Sequence, residues 1–362
     1  MALLGLAASG GPPASAQPQL LTAEDRPIRL GITPTGQWYQ DGEEQTQELT
    51  TQIDLSLPLG DRVLVVAQGR AARAASETGD AITGLDDARV GALYAREVGA
   101  GSISGRLDVG VPVGKTKLTP GQLATVRSTS RSTFDFRVPS FGAGLTVVPR
   151  LTYAVPVASR VVVGAGAAFQ YLGSYEPVAD ASRTYDPGNG LELFGGADVR
   201  VSRAASLSLD ARYARFGTAR AGGVDRLRPG NSYSVTLRFG YEAAESALRL
   251  AAQYQNWEES RVRAFVVGPD TPTPAVQQQL VPSRSRLRAQ YQRRIGRGRS
   301  VQVFLEGRYF RSTDILDRKR VGVLGVRAAL RIAPGWRLRP FASATAGDFF
   351  GVTGGLRTDF RL

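Results

Sequence analysis

The sequence predicts an all-β chain that forms a closed transmembrane antiparallel up-and-down β-barrel of about 16 strands, with about 14 as the alternative count. Three observations lead to this fold class. Apolar and polar residues alternate with a period of two along most of the chain, which is typical of strands with one apolar and one polar face. Short and long connections alternate between these segments. Aromatic residues of the apolar faces fall near both ends of the segments, as expected at two membrane interfaces.

The composition excludes several classes of enzyme. The chain has 362 residues with 42 glycines, and it contains neither cysteine nor histidine. Without cysteine there are no disulfides and no thiolate metal sites. Without histidine, Ser-His-Asp hydrolysis and zinc hydrolysis with His ligands are excluded. No Asp/Glu pair has a distinctive spacing, so we expect neither enzymatic activity nor a bound cofactor or metal.

The N-terminus is interpreted as an export signal. A short apolar run ends in Ala14-Ser15-Ala16, the small-x-small pattern that precedes signal peptidase cleavage. We assign residues 1–16 to a signal peptide, 17–27 to a short periplasmic lead and 28–362 to a single barrel domain. The usual basic n-region is missing, so the true start of the signal peptide stays open, and a disordered tail is the alternative interpretation.

The alternation recurs in segment after segment. Val301, Val303 and Leu305, for example, alternate with Gln302 and Phe304. In chain order, the predicted strands span residues 28–40, 49–59, 62–73, 89–96, 102–113, 142–155, 160–172, 192–202, 206–216, 232–242, 247–257, 284–296, 300–312, 320–333, 336–347 and 351–362. The first is expected to pair with the last, because closure leaves no unpaired backbone edge in lipid.

The connections indicate the orientation. Short turns are predicted at 60–61, 97–101, 156–159, 203–205, 243–246, 296–299 and 333–335, and long loops at 41–48, 74–88, 114–141, 173–191, 217–231, 258–284 and 312–319, with only a brief connection near Asp348. Short periplasmic turns and long external loops are typical of bacterial outer-membrane barrels. Both termini would then lie on the periplasmic side. We therefore expect an outer-membrane location in a Gram-negative bacterium.

Two aromatic girdles follow from this topology. The aromatic residues of the apolar face near the short turns are Tyr94, Tyr153, Tyr241, Tyr291, Trp336 and Phe360, and those near the long loops are Trp38, Phe169, Tyr171, Tyr213, Tyr233, Tyr254 and Tyr309. Amphipathic rings are enriched at both membrane interfaces. A soluble sandwich would concentrate its aromatic residues in the middle of the strands.

Arginine supplies nearly all of the positive charge. The formal net charge is +13, and the only lysines are Lys115, Lys117 and Lys319. Such a charge can indicate nucleic acid, acidic lipid or anionic solutes, and a GC-rich genome also enriches arginine. Arginine is concentrated on the polar faces of the strands, as lipid exclusion requires, because arginine at bilayer depth costs about 2 to 4 kcal/mol. The expected partners are therefore outer-membrane lipid, lipopolysaccharide and small solutes, and not nucleic acid.

The luminal arginines are the candidate solute path. They are densest near the C-terminus, at Arg286, Arg288, Arg294, Arg308, Arg327, Arg331, Arg337 and Arg339. In one interpretation, their surplus over carboxylates attracts anionic solutes, as basic rings do in anion-preferring pores. In the other, they form salt-bridge ladders with carboxylates on neighbouring strands and only fill the interior. The sequence leaves both open.

The third long loop is a candidate constriction. In general porins, which this architecture resembles, the third loop folds into the pore. Here the loop would bring basic residues against Asp135, namely Lys115, Lys117, Arg127, Arg131 and Arg137. A solvated surface loop is the alternative.

Part of the chain resembles a known superfamily. The residues that carry the resemblance are GLDDARVGALYAR (84–96), DVGVPVGKTKLTP (108–120), GAGLTVVPRLTYAVP, RVVVGAGAAFQY and GSYEPVADASRTYDPGNG (173–190). They resemble outer-membrane barrels related to fatty-acid and aromatic-hydrocarbon transporters, including those of phenol meta-cleavage pathways. Members of that superfamily usually have about 14 strands, and the fatty-acid transporters carry an N-terminal hatch for which this chain has no long enough segment. The resemblance implies transport of hydrophobic or aromatic compounds.

Three functions follow as hypotheses. The first is a porin-like channel for small solutes, with a preference for anions from its arginine-lined lumen. The second is a transporter of hydrophobic or aromatic compounds, favoured by the resemblance and by Phe194, Phe304 and Phe310 on the luminal face. The third is a non-conducting barrel that acts as a scaffold or surface receptor through its long loops. The solute and the oligomeric state stay open.

Overall fold

Sixteen antiparallel strands form a closed barrel in the computed structural model, which describes residues 27–179, 184–263 and 275–362. The predicted signal peptide and all but the last residue of the predicted lead lie outside the described residues. Every neighbouring pair in the barrel is antiparallel, and the first strand pairs with the last. The predicted all-β fold with 16 strands is therefore confirmed.

The barrel strands follow one another around the wall in chain order. They are β1 (Arg29–Asp41), β2 (Glu44–Leu59), β3 (Val63–Ser76), β4 (Gly79–Leu85), β5 (Ala88–Val98), β6 (Gly101–Val111), β7 (Thr146–Ala158), β8 (Val161–Leu172), β10 (Gly190–Arg200), β11 (Ala205–Phe216), β14 (Ser232–Glu242), β15 (Ser246–Trp257), β18 (Arg284–Arg294), β19 (Arg299–Phe310), β20 (Lys319–Ala333), β21 (Trp336–Gly347) and β22 (Phe350–Arg361). β4 and β5 both pair with β3 and together make one strand of the wall.

Five short strands form a second sheet on the long-loop side. They are β9 (Tyr185–Asp186), β12 (Ala219–Ala221), β13 (Val224–Arg228), β16 (Ser260–Arg263) and β17 (Ala275–Gln278), and they pair in the order β17-β16-β13-β12-β9. We call this the extracellular sheet. The third long loop carries α1 (Pro120–Thr129), whose first turn is fixed by a capping box between Thr119 and Gln122. No helix among the described residues is long and apolar enough to cross a membrane.

The outer surface is apolar between two aromatic bands. Large apolar side chains at alternate positions remain exposed, such as Leu49 (64%) and Leu287 (65%). In a water-soluble protein such a surface would be buried, so lipid must cover it. The two girdles occupy opposite ends of the barrel. At the short-turn end, Trp336 stacks on Phe360 with ring centroids 6.0 Å apart, whereas Tyr233 and Tyr254 lie 6.3 Å apart at the long-loop end.

Two predicted long loops are strands instead. Residues 41–48 belong largely to β1 and β2, which are joined by the two-residue turn Gly42-Glu43, and Gly42 has a φ of +64°. Residues 74–88 are mostly β3 and β4. The predicted strands are too short because the polar outer segments of these strands resemble loops. They pair with each other beyond the apolar band, where water can surround both faces.

The seam between β1 and β22 makes a direct test of closure possible, since the chain has no native cysteine. Ile32 lies directly opposite Thr358 in the ladder. We expect the Ile32→Cys/Thr358→Cys variant to form an intramolecular disulfide on mild oxidation, seen as a mobility change on a non-reducing gel. The control Ile32→Cys/Val352→Cys places two thiols that are not opposed. The closed register would be contradicted if both variants cross-linked equally or if neither cross-linked.

Candidate functional site

The face opposite the apolar surface lines the lumen and carries the charged side chains. All of the predicted solute-path arginines occupy positions of this face. Three of them converge on one carboxylate: Glu306 forms an ion pair with Arg286 at 2.7 Å, accepts a hydrogen bond from Arg288 at 3.5 Å, and also pairs with Arg308 on its own strand. The Glu306 side chain is only 1% exposed. One carboxylate therefore orients three guanidinium groups and neutralises one of their three charges.

The wall formed by β6 to β14 carries further ion pairs. Arg106 donates two hydrogen bonds to Asp108 at 2.7 and 2.8 Å. Glu192 lies between Arg150 and Arg212, at 3.4 Å from each, and Arg238 pairs with Asp210. Arginines and carboxylates within one strand and on nearby strands thus form a ladder on this side of the lumen. Such charge-assisted contacts orient the side chains along the wall.

The third long loop, residues 112–145, makes its contacts with luminal side chains. Its helix α1 packs on the luminal side of β3 and β4, where Val126 joins Ala72, Ala74 and Ile82 in an apolar cluster. Thr125 also donates to the backbone oxygen of Asp80 at 2.8 Å. Because these residues face inward, the helix lies inside the rim of the barrel at its long-loop end.

The segment after α1 runs along the wall and is held by its backbone. Glu48 on β2 accepts from the backbone N–H groups of Arg137 at 2.8 Å and Val138 at 3.1 Å. Gln37 on β1 donates to the Asp135 carbonyl at 2.7 Å and accepts from the Arg137 N–H at 2.9 Å. Glu48 is 1% exposed. These wall side chains form the hydrogen bonds that a neighbouring strand would otherwise form with the backbone N–H and C=O groups of the loop.

Aromatic packing holds the same segment. Phe134 stacks on Tyr39 of β1 with centroids 5.1 Å apart, and Phe136 meets the Tyr39 edge at 5.0 Å. The cluster is completed by Phe310, Val321 and Phe349 from β19, β20 and the turn before β22. The aromatic residues are buried against one another, so this cluster leaves no free apolar surface in the lumen.

Two carboxylates hold the third long loop in place, Asp87 at its two ends and Asp135 in its middle. Asp87, between β4 and β5, accepts from the Gly114 N–H at 3.0 Å and from the Ala143 N–H at 2.7 Å, so one side chain joins the entry and the exit. Asp135, on the loop, pairs with Arg308 on the luminal face of β19. Burial acts to raise the pKa of Asp135, but the guanidinium of Arg308 and those of Arg286 and Arg284 outweigh it and lower the pKa.

The five predicted loop cations do not act together. Arg131 pairs with Glu44 and lies 3.9 Å from Asp41, and Arg137 lies over the Phe341 ring at 5.9 Å. Lys117 is exposed and pairs with Glu176 of the next loop at 2.6 Å, which raises its pKa. Arg127 is also exposed, and Lys115 is half-buried. Only Arg131 and Arg137 are thus tied to the inner wall.

Luminal aromatic rings lie over glycines of the neighbouring strand. Phe304 is opposite Gly325, Phe194 is opposite Gly166 and Phe341 is opposite Gly355 in the ladders. A Cβ on each of these glycines would collide with the facing ring. Arginines cover the rings as well, with Arg288 4.4 Å and Arg327 5.3 Å from the Phe304 centroid. These rings therefore pack on the wall and present little surface to the lumen.

Sequence reasoning missed the carboxylates and amide that hold the loop. Gln37 was visible only as a polar residue at an inward strand position, Glu48 as the last residue of a predicted loop, and Asp87 as part of a short acidic pair. Their role depends on where the loop goes, which no local pattern indicates. Within the described ranges, no group of three or more acidic side chains is arranged to hold a metal ion.

The arrangement as a whole is a barrel with an apolar outer belt, a charged lumen and one loop folded inward. The fold is that of a bacterial outer-membrane β-barrel. No protein-family model matches the sequence, and no curated protein matches it. Among solved structures, CdiB from Acinetobacter baumannii is 10% identical, with a TM-score of 0.52, over 93% of this chain and 60% of that chain.

Two similar structures are described as channels. An outer membrane channel from Pseudomonas putida F1 is 12% identical over 67% of this chain and 92% of its own, with a TM-score of 0.42. The CymD monoaromatic hydrocarbon channel is 10% identical over 93% of this chain and 89% of its own, with a TM-score of 0.47. At these identities the likeness concerns the fold alone.

Proposed function

We propose that this protein is an outer-membrane channel that passes small hydrophilic solutes past its third loop, with a preference for anions. The supporting observation is that charged luminal side chains remain accessible to water although they point inward. Arg106 is 48% exposed and Arg339 is 44% exposed. A barrel filled by its own side chains would bury them, whereas one of about 16 strands is wide enough to enclose an aqueous channel.

The third loop gives this channel its narrow part. It lies on the luminal face from β19 past β1 to β3, through the contacts of Asp135, Glu48 and Arg70. Solutes would pass between this segment and the ladder of Arg150, Glu192 and their neighbours. The loop cations Arg131 and Arg137 and the acid Asp135 would border the passage, and Lys115, Lys117 and Arg127 would lie nearer its entrance.

The lining favours hydrophilic solutes over hydrophobic ones. A transporter of aromatic compounds needs apolar surface that a solute can touch. Here the rings of Phe194 and Phe304 lie over glycines and under arginines, and Phe310 is buried in the aromatic cluster. Transport of aromatic compounds therefore finds support in the sequence resemblance but none in the luminal surface.

Anion preference would arise from arginines that no carboxylate neutralises. Arg286, Arg288 and Arg308 share Glu306 and Asp135, so three positive charges face two negative ones and one positive charge stays in excess. Arg327 lies over Phe304, and no described carboxylate pairs with it. On the outer surface, Arg73 and Arg215 sit near the long-loop end, where they would contact lipopolysaccharide phosphates.

Removing luminal charge is expected to shift the selectivity. In the variant Arg286→Gln/Arg288→Gln/Arg337→Gln/Arg339→Gln, the reversal potential of single channels in a salt gradient should move toward zero. The shift should be large in dilute salt and fade in concentrated salt, because the Debye length is about 10 Å at 0.1 M.

A matched control removes the same charge from the lipid-facing surface. Its substitutions are Arg73→Gln, Arg96→Gln, Arg215→Gln and Arg293→Gln, all at outward positions. We expect its reversal potential to equal that of the unmodified protein. A cation-selective unmodified channel, or no shift in the luminal variant, would show that the luminal arginines only fill the barrel. A refolded protein that never conducts would favour the scaffold or receptor hypothesis.

A further inference from the structure

Four arginines meet at the periplasmic end of the lumen, on four neighbouring strands. They are Arg331 on β20, Arg337 on β21, Arg361 on β22 and Arg29 on β1, and we call them the periplasmic arginine cluster. Arg331 lies directly opposite Arg337 in its ladder, and Arg361 lies directly opposite Arg29. The charges of the other three and of Arg339 all act on Arg337. Like charges at opposed positions destabilise a sheet.

The carboxylate that faces the cluster in the ladder, Asp359, already pairs with two other arginines. Asp359 lies opposite Arg337 in the ladder, but its Oδ1 accepts a hydrogen bond from Arg357 at 2.8 Å and its Oδ2 forms an ion pair with Arg339 at 3.0 Å. Among the residues that the structure describes, no carboxylate pairs with any of the four cluster arginines. In the outer half of the lumen, by contrast, Glu306 pairs with three arginines.

The backbone is irregular where the cluster forms. The β20–β21 ladder shifts register between Arg331 and Ala333, which marks a bulge beside Arg331. Bulges at barrel rims redirect a side chain that a regular strand would point elsewhere. Arg29, Arg331 and Arg361 are exposed. Arg337 is half-buried. The cluster therefore presents three exposed arginine side chains at the periplasmic mouth.

We propose that the periplasmic arginine cluster is a binding site for small multivalent oxyanions of the phosphate or polycarboxylate class. Guanidinium groups bind such oxygens in a planar, bidentate geometry and keep their charge at all relevant pH values. An anion with several charges relieves the repulsion among all four arginines, which a monovalent ion does only in part. The proposal deepens the proposed anion-preferring channel and rests on it for the path by which the anion arrives.

Binding of pyrophosphate to the refolded protein in neutral detergent tests the site without requiring conduction. We expect calorimetry to show saturable binding, weakened about tenfold or more in Arg331→Gln/Arg337→Gln, since each lost charge-assisted contact is strong. The control Arg220→Gln/Arg261→Gln removes the same charge from the extracellular sheet and should bind as the unmodified protein does. Retained heat-modifiable gel mobility checks that both variants fold. No binding at millimolar pyrophosphate, or equal binding by the cluster variant, overturns the proposal.

Single-channel recording separates this proposal from the proposed function. Pyrophosphate added on the short-turn side should reduce the current at lower concentration than when it is added on the long-loop side, and the asymmetry should vanish in the cluster variant. A closed or cation-selective barrel that still binds pyrophosphate through Arg331 and Arg337 would overturn the channel proposal alone. An anion-selective channel whose pyrophosphate binding does not depend on these arginines would overturn the proposed binding site alone.

Discussion

Replacing residues 115–142 with a short Gly-Ser linker is expected to raise the single-channel conductance several-fold. The replaced segment contains α1 and the stretch that lies along the luminal wall from β19 to β3. Conductance rises with the open cross-section, and this segment occupies part of the lumen. A short linker suffices, because Gly114 and Ala143 both donate to the carboxylate of Asp87 and therefore lie close together.

The control for this variant shortens a connection outside the lumen. The same linker in place of residues 219–228 removes the β12–β13 hairpin of the extracellular sheet. We expect that change to alter conductance far less. Both variants should keep the heat-modifiable gel mobility of a folded barrel. If the loop-deleted barrel folds and its conductance stays that of the unmodified protein, the third loop does not set the width of the pore.

Substituting Glu48 is expected to release the middle of the third loop while leaving the barrel folded. Glu48→Ala removes the acceptor of the Val138 N–H group and one of the two acceptors of the Arg137 N–H group, which keeps its hydrogen bond to Gln37. Leaving buried donors without a partner costs about 1 to 3 kcal/mol. The amide of Val138 should then exchange with solvent about 10-fold to 100-fold faster, since about 1.4 kcal/mol corresponds to a factor of ten. The amide of Arg137 should change less, because Gln37 still accepts from it. Hydrogen exchange of the refolded protein measures this directly, and the same loosening should appear as added current noise.

A second luminal carboxylate serves as the matched control. Glu192 also has two partners, Arg150 and Arg212, but both lie on the wall and not on the third loop. Glu192→Ala should leave exchange at residues 137 and 138 unchanged. Exchange rates in Glu48→Ala that match those of the unmodified protein would mean that the aromatic contacts of Tyr39 with Phe134 and Phe136 hold the segment by themselves.

The geometry of a barrel explains why much of this fold was predictable. Each residue of a spanning strand faces either lipid or lumen, so the alternation of Val301 and Val303 with Gln302 and Phe304 reports its side directly. The same rule predicted the strand count, the pairing of the first strand with the last, both aromatic girdles and the inward position of the arginines. The outer ends of β1 to β4 were missed because strands that extend beyond the lipid carry no apolar face.

The contacts of the site could not be predicted in the same way. Gln37 and Asp135 meet although they are 98 residues apart, and Glu48 meets Val138 across 90 residues. Such contacts depend on the path of a loop and not on any local period.

The division between sequence and tertiary structure follows from the range of the forces involved. Lipid exclusion acts on each residue singly, so the sequence alone determined which face every strand turns inward and that the lumen is basic. Pairing depends on strand register and on the course of the third loop. Only the tertiary structure therefore decided that Glu306 pairs with Arg286 and Arg288, while Arg331 and Arg337 face each other with no carboxylate between them.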